Sequence, residues 1–320
     1  MTPSSDEPLV TVVLPTYDRP ELLPESIATV ADQTYDKIEL VVVDDHSPES
    51  PRDIVENVSR EGLHDVVFVR HTENKGASAA RNTGIETAQG ELIAFLDDDD
   101  TWKPTKIERQ IDAFRKVSSN VGVVYTGIRS ATTDDTTINV RRVDREGDLT
   151  KEVLCGFTPP FSSIVVRREV VADAGPFDED LPSWNDREWL LRVSQHCDFA
   201  VVDAPLVVSR RGNDHTNLSG DFTSKRAESY PKVVEKFRPV AAQYGRLFAR
   251  KSHAHLTFRL GYAALANEEY GAARRIFVTA LLQWPFVPKF FLYALIAMAG
   301  DSGYKTARSL KRKSERLRLE

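Results

Sequence analysis

The sequence predicts an α/β protein in which a mixed, mostly parallel sheet is flanked by helices and followed by a helical C-terminal extension. Short β-branched runs alternate with helical patterns through about the first hundred residues, these runs are apolar at nearly every position, and strand patterns stop near residue 222. Alternation of strand and helix is typical of parallel strands joined by crossover helices. Strands without polar alternation indicate a sheet that helices cover on both faces.

The strands and the helices between them are predicted in chain order from these runs. The first four strands are predicted at residues 9–14, 38–43, 65–70 and 91–96. Helical patterns between them begin near Arg19, Pro51 and Ala77, and each span between strands is long enough for a crossover. Less regular strands at residues 121–125, 161–166 and 198–208 predict a mixed sheet, with a helix over about 186–195.

Length and charge indicate two regions of different character. At 320 residues the chain exceeds the usual length of one domain, and we expect domains at 1–220 and 221–320. The net charge is −6, but residues 241–320 carry 14 Lys and Arg against 5 Asp and Glu, which leaves −15 for the first 240 residues. The acidic body argues against nucleic acid as a partner, whereas the basic end predicts contact with an anionic surface. The N-terminus lacks a secretory signal, which predicts a cytoplasmic protein.

The C-terminal region combines an apolar segment with a basic tail. Residues 276–300 are the most apolar part of the chain, but Gln283, Pro285, Pro288 and Lys289 interrupt them. Because a spanning helix needs about 20 apolar residues, we expect peripheral association with the cytoplasmic face of a membrane. The basic tail follows at once, with Lys305, Arg308, Lys311, Arg312, Lys313, Arg316 and Arg318. A helical cap with a solvated basic end stays open as the alternative.

Four consecutive aspartates, Asp97 to Asp100, follow the fourth predicted strand directly. Crowded carboxylates repel one another, and the repulsion grows as they lose water. We therefore expect a positive charge at this place, and we consider a solvated acidic turn the alternative. In parallel α/β sheets, ligands bind beyond the carboxyl ends of the strands, so one cleft is expected to receive this run together with the polar residues that follow the first and second strands.

The acidic run Asp97-Asp98-Asp99 resembles the D-x-D motif of sugar-nucleotide-dependent glycosyltransferases. With "VTVVLPTYDRPELLPESIATVADQTYDKIELVVVDDHS", "NKGASAARNTGIETAQGELIAFLDDDD" and "WNDREWLLRV", the sequence resembles a family 2 inverting glycosyltransferase of the GT-A fold over about residues 9–220. The resemblance implies a nucleotide-diphosphate sugar donor, expected to be UDP-linked, and a divalent cation, Mg²⁺ or Mn²⁺, that neutralises the diphosphate. It also implies a hydroxyl acceptor, such as a polyprenol-phosphate-linked glycan.

The resemblance implies roles for the residues that follow the first two strands. Asp45 matches the position that recognises the base of a uridine nucleotide, which suits a carboxylate that accepts an imide N–H. Tyr17 is expected to stack on the base. Pro15 and Thr16 are expected to line the site through backbone atoms.

Further donor-site residues follow the third and fourth strands. Lys75 and Arg81 are expected to complement the nucleotide, together with the amide groups that open the helix after Lys75. Arg81 as a surface charge is the alternative. Asp97 and Asp98 are expected to bind the nucleotide sugar, Asp98 through the ribose hydroxyls, and Asp99 is expected to bind the metal.

Direct displacement at a sugar carbon requires a base separate from the metal cluster. By the resemblance this base is Asp186, although Asn185 stands where the family more often has an acidic residue. Glu188 is the rival candidate, two positions further along. Helix geometry turns Glu188 away from Asp186 by about half a turn.

A polar segment after the last predicted strand contains Arg210, Arg211 and His215. The resemblance implies a lid over the diphosphate, with both arginines in the donor site and His215 near the metal. A solvated loop is the alternative. Two other functions stay open at this point, a nucleotidyltransferase acting on sugar phosphates and a non-catalytic sugar-nucleotide-binding scaffold at a membrane.

Overall fold

The computed structural model describes residues 7–57, 62–132, 135–210 and 221–306. Its strands form one mixed sheet in the order β3-β2-β1-β4-β8-β6-β9-β5, and β7 pairs with β6. This confirms the predicted α/β fold with a mixed sheet. The strands are β1 Val10–Thr16, β2 Ile38–Asp44, β3 Asp65–Arg70, β4 Leu92–Phe95, β5 Asp100–Trp102, β6 Val121–Ala131, β7 Thr137–Arg141, β8 Val165–Arg167 and β9 Asp198–Arg210.

The first four strands are parallel, as predicted, and β1 lies between β2 and β4. All seven residues of β2 are buried, which explains why the strand shows no polar alternation. In the register of the sheet, Thr16 at the end of β1 pairs with Asp44 at the end of β2. The polar residues that follow these strands therefore start from one edge of the sheet.

The second half of the sheet departs from the predicted elements. The predicted strand at 161–166 is shorter in the structure, because Phe161–Ser163 form a 3₁₀ turn and only Val165–Arg167 pair as β8. Neither β5 nor β7 was predicted. Both are short, with three and five residues, and β5 takes its conformation from antiparallel pairing with β9.

Helices cover the sheet and make up most of the C-terminal region, which confirms the predicted helical extension. A π-helical turn, Lys225–Ser229, joins two of them. The helices are α1 Leu23–Ala31, α2 Arg52–Glu56, α3 Ala77–Thr87, α4 Lys106–Lys116, α5 Thr150–Leu154, α6 Arg168–Ala174, α7 Asn185–Val193, α8 Phe222–Ser224, α9 Tyr230–Gln243, α10 Arg246–Ala266, α11 Tyr270–Gln283 and α12 Pro288–Met298.

The described residues divide into two compact units. The sheet unit contains residues 7–149, 159–179 and 192–210, and its core is formed by apolar residues of the strands and of α1 and α4. The helical unit contains residues 150–158, 180–191 and 221–306, so two segments that precede residue 220 pack with the C-terminal helices. The predicted domain boundary near residue 220 lies outside the described residues and stays a prediction. Within the described ranges, every helix is too short or too polar to cross a membrane.

Candidate functional site

The acidic run lies where β4 ends, at the carboxyl edge of the parallel strands. The amide of Leu96 still donates to the carbonyl of Val13, and the chain then turns through the four aspartates before Asp100 opens β5. Asp97, Asp99 and Asp100 each offer a carboxylate oxygen, and these oxygens lie within 4.8 Å of one another. The turn therefore brings together three carboxylates.

Asp98 has a different environment from its neighbours. Its side chain is buried, Oδ2 accepts a hydrogen bond of 2.9 Å from the hydroxyl of Thr16, and Oδ1 accepts one of 2.7 Å from Arg19. The same guanidinium lies 3.3 Å from Asp99 Oδ2. Asp98 thus connects the end of β1 to the acidic run through its own hydrogen bonds. The three-carboxylate cluster consists of Asp97, Asp99 and Asp100.

Hydroxyl and indole groups hold the turn in this shape. The hydroxyl of Ser26 lies 2.8 Å from the carbonyl oxygens of both Asp98 and Asp100. The indole N–H of Trp102 donates to the carbonyl of Ser162 at 2.8 Å, and the amide of Asp97 donates to the Ser162 hydroxyl. Because these contacts fix the backbone on both sides, the carboxylates stay close although they repel one another.

Burial and mutual repulsion oppose the ionisation of these carboxyl groups. Burial, with the charges of Asp97 and Asp99, raises the pKa of Asp100 to about 8. Burial and the charge of Asp97 raise the pKa of Asp99 to about 6, against the opposing effect of Arg19. Burial also raises the pKa of Asp98. A bound cation would remove this penalty on ionisation, so the donor set fits a hard divalent ion that prefers carboxylate oxygens.

Arg81 is buried and pairs with the acidic run. Its Nη2 donates to Asp97 Oδ1 at 2.8 Å, and its guanidinium lies 4.8 Å from the ring centre of Phe161 and 5.8 Å from that of Phe177. This environment does not match the alternative of a surface charge. In the structure Arg81 orients Asp97.

Asp45 lies at the end of β2 and holds the chain that leads into α3. Its Oδ1 accepts from the amide of Lys75 at 2.9 Å and lies 2.7 Å from His71 Nδ1, and its Oδ2 accepts from the amide of Gly76 at 2.7 Å. Gly76 has φ +89°, which suits glycine. A carboxylate has about four acceptor positions, so about one stays open for a ligand.

The remaining predicted donor residues lie at the same edge. Tyr17 follows β1 directly and is 42% exposed, so its ring is accessible for stacking. Pro15 is half-buried within β1, and the hydroxyl of Thr16 is engaged by Asp98. The side chain of Lys75 is exposed.

The predicted base lies in the helical unit. Asp186 is half-buried in the first turn of α7, and its amide donates to the side chain of Asn185. The rival Glu188 is only 2% exposed and pairs with Lys236 at 3.0 Å. Since Glu188 already has a cationic partner in the protein interior, Asp186 is the more available carboxylate of the two.

Some predicted residues cannot be placed, and others were missed. Arg211 and His215 lie outside the described residues, while Arg210 at the end of β9 pairs with Glu25. No role was predicted for Arg19, which lies in the first of the quoted segments. None was predicted for Asp100, the fourth aspartate of the run. The contact of His71 with Asp45 left no signal in the sequence.

Comparison with known proteins gives a consistent result. The model of glycosyl transferase family 2 matches residues 11–172, about half of the chain. The UDP-Glc:alpha-D-GlcNAc-diphosphoundecaprenol beta-1,3-glucosyltransferase WfgD of Escherichia coli is 37% identical over 120 residues, which cover 38% of this chain and 46% of WfgD. The chain spans 42%, 54% and 34% of the length of three further glycosyltransferase relatives.

Solved glycosyltransferases share the fold. S. aureus TarS 1-349 in complex with UDP-GlcNAc has a TM-score of 0.62 at 18% identity and covers 96% of this chain and 92% of its own. The mannosyltransferase PcManGT from Pyrobaculum calidifontis, in complex with GDP-Man and Mn²⁺, has a TM-score of 0.58 at 18% identity. The match covers 96% of this chain and 88% of PcManGT. These likenesses confirm the expected GT-A fold.

Proposed function

The chain belongs to glycosyl transferase family 2 and is a glycosyltransferase, and on this premise we propose that it is a metal-dependent, inverting enzyme with a UDP-sugar donor. The sugar passes to a hydroxyl group of an acceptor, and the acceptor is a lipid-linked glycan. The observation that carries this proposal is the cluster of Asp97, Asp99 and Asp100 at the edge of the sheet from which the accessible Tyr17 also follows β1.

The proposed cation is Mg²⁺ or Mn²⁺, held by Asp99 with Asp97 and Asp100. All three ligands are carboxylates, and the raised pKa values of Asp99 and Asp100 indicate that the neighbouring Arg19 and Arg81 do not fully compensate the negative charge of the cluster. When bound, the cation would neutralise the diphosphate as it leaves. His215, which lies outside the described residues, stays a predicted further ligand.

The uridine base is proposed to stack on Tyr17 and to donate its imide N–H to the open acceptor position of Asp45. WfgD carries UDP-Glc in its name, and TarS was solved with UDP-GlcNAc, which supports a uridine donor here. Lys75 and Arg210 are proposed to contact the diphosphate. Asp98 is proposed to bind the ribose, from a position that Thr16 and Arg19 fix.

Asp186 is proposed to act as the general base. The carboxylate takes the proton of the acceptor hydroxyl while the hydroxyl oxygen forms a bond to the anomeric carbon of the sugar. The bond between this carbon and the diphosphate oxygen breaks, and its electron pair leaves with UDP. Attack from the side opposite to UDP inverts the configuration.

The acceptor and the location are inferred from a relative and from the C-terminal sequence. WfgD is named for an acceptor that ends in diphosphoundecaprenol, and a carrier of this kind lies in a membrane. An acceptor in this class requires an enzyme that works at the membrane surface, which agrees with the predicted basic tail. Most of that tail lies outside the described residues.

A donor screen tests the proposal. Purified protein is incubated with Mg²⁺ or Mn²⁺ and with UDP-, GDP- and dTDP-linked sugars, and both released nucleotide diphosphate and released pyrophosphate are measured. The proposal expects UDP release that stops with EDTA. A parallel incubation with nucleoside triphosphates and a sugar 1-phosphate tests the alternative, because pyrophosphate release there would identify a nucleotidyltransferase. Sugar-nucleotide binding without any release in either incubation would identify a scaffold.

A further inference from the structure

Helix α12 is apolar on its outer side as well as on its inner side. Inside, Phe290, Ala294 and Ala297 are buried, and the ring of Phe290 stacks on Phe258 with centres 4.6 Å apart. Outside, four large side chains are exposed by about half or more, namely Phe291 57%, Leu292 53%, Leu295 48% and Met298 62%. Helices at a protein surface normally carry polar residues on the outer side.

The exposed side chains of α12 share one side of the helix, and two further exposed apolar residues precede the helix in the chain. At about 100° per residue, the four outer residues of α12 fall within roughly a third of the helix circumference. Leu282 in α11 and Phe286 in the connection to α12 are 70% and 75% exposed. We call these six residues the apolar face: Leu282, Phe286, Phe291, Leu292, Leu295 and Met298. Exposed apolar surfaces of this kind mark interaction sites.

The charges around the apolar face indicate the chemistry of its partner. From residue 270 to residue 300 the sequence has no Asp or Glu, while it has Arg274, Arg275 and Lys289. Residues 301–320 continue the bias, with seven Lys and Arg against one Asp and two Glu. A symmetric contact with a second copy would bring these like charges together. An anionic partner matches them.

The dimensions of α12 decide how it meets a membrane. Its 11 residues make a helix of about 16 Å, roughly half of the hydrocarbon thickness of a bilayer. A helix of this length that stays packed on Phe258 cannot span the bilayer. It can lie parallel to the surface and place one side among the lipid headgroups.

We infer that the apolar face is a docking surface for an anionic phospholipid bilayer, with α12 lying in the plane of the interface. Its aromatic and aliphatic side chains enter the headgroup region, and the exposed Arg274 and Arg275 meet lipid phosphates. This inference rests on the part of the proposed function that assigns a lipid-linked acceptor, and it names the surface through which the enzyme reaches that lipid.

Vesicle co-sedimentation of the full chain tests the inference. The vesicles contain phosphatidylcholine alone or with about 30% phosphatidylglycerol, an anionic lipid that attracts basic segments, and no sugar nucleotide is needed. We expect binding to the anionic vesicles, and at least tenfold weaker binding for the double variant Phe291→Gln/Leu295→Gln. Both positions are exposed and glutamine favours helix, so the variant is expected to fold.

A matched control separates hydrophobic docking from other causes. Phe291→Leu/Leu295→Met changes the same positions but keeps them apolar, and it should bind as the unchanged protein does. UDP release in solution, without vesicles, should be the same for all three proteins, so a failed sugar-transfer assay and a failed docking assay can be told apart.

Three results would overturn the inference. The first is that the full chain does not bind anionic vesicles. The second is that the glutamine variant binds as well as the unchanged protein, which would assign membrane binding to the basic tail alone. The third is a dimer in sedimentation equilibrium that the glutamine substitutions dissociate, without vesicle binding, which would show that the apolar face contacts a second copy.

Discussion

Without a divalent cation, the protein should lose stability as the pH rises from 5 to 7, and Asp100 should cause a large part of the loss. The pKa of Asp100 is about 8 in the folded chain, against an ordinary aspartate value of 3.8. Between these values the folded state holds one more proton than the unfolded state, so rising pH favours unfolding. One proton corresponds to about 1.4 kcal/mol per pH unit, which makes roughly 3 kcal/mol over this range.

Urea unfolding in EDTA at pH 5, 6 and 7 measures this loss. Asp100→Asn cannot ionise, so its stability should fall with pH less steeply than that of the unchanged protein, by about 1.4 kcal/mol per pH unit. Asp112→Asn, at a side chain that is 49% exposed, serves as the control and should keep the original slope. Equal slopes for Asp100→Asn and the unchanged protein would refute the argument that buried charge at Asp100 opposes folding.

Three further predictions concern catalysis and ligand binding. Asp186→Asn should lower turnover by about 10²- to 10⁴-fold, because the proposed proton acceptor is lost. Calorimetry should still detect UDP binding by this variant. Normal turnover would mean that another group is the base. Tyr17→Ala should weaken UDP binding by about 1–3 kcal/mol through lost stacking, measured by the same calorimetry, and an unchanged affinity would remove Tyr17 from the base site. Asp99→Asn should weaken Mn²⁺ binding in electron paramagnetic resonance titrations by tenfold or more (about 1.4 kcal/mol), and full retention would assign the ion elsewhere.

The sequence predicts the parallel half of the sheet because its strands carry their own signal. β1 to β4 are apolar runs bounded by polar residues, and the sheet edge follows from their direction. β5 and β7 have no such signal, since their pairing partners impose the strand conformation. Because β5 was not predicted, Asp100 was treated only as the last aspartate after the fourth strand, whereas it is the first residue of β5.

The site was predictable in its residue types and less so in its contacts. The acidic run and the residues after β1 and β2 are visible as motifs. The hydrogen bond from Thr16 to Asp98 joins residues that are 82 positions apart. It depends on β1 and β4 being neighbours in the sheet, which no local sequence pattern predicts. For the same reason the pairing of Glu188 with Lys236, which separates the two candidate bases, became visible only in the structure.

The turn that carries Asp186 is anchored to residues that follow it by about 50 positions. Lys232 donates to the carbonyl of Asp180 at 2.7 Å, Ser183 and Ser229 share a hydrogen bond of 2.9 Å, and Lys236 pairs with Glu188. A shortened enzyme that ends near residue 220 would lack every one of these anchors. Truncation for crystallography or engineering should therefore spare α9, since Lys232 and Lys236 of this helix hold the turn that carries the proposed base.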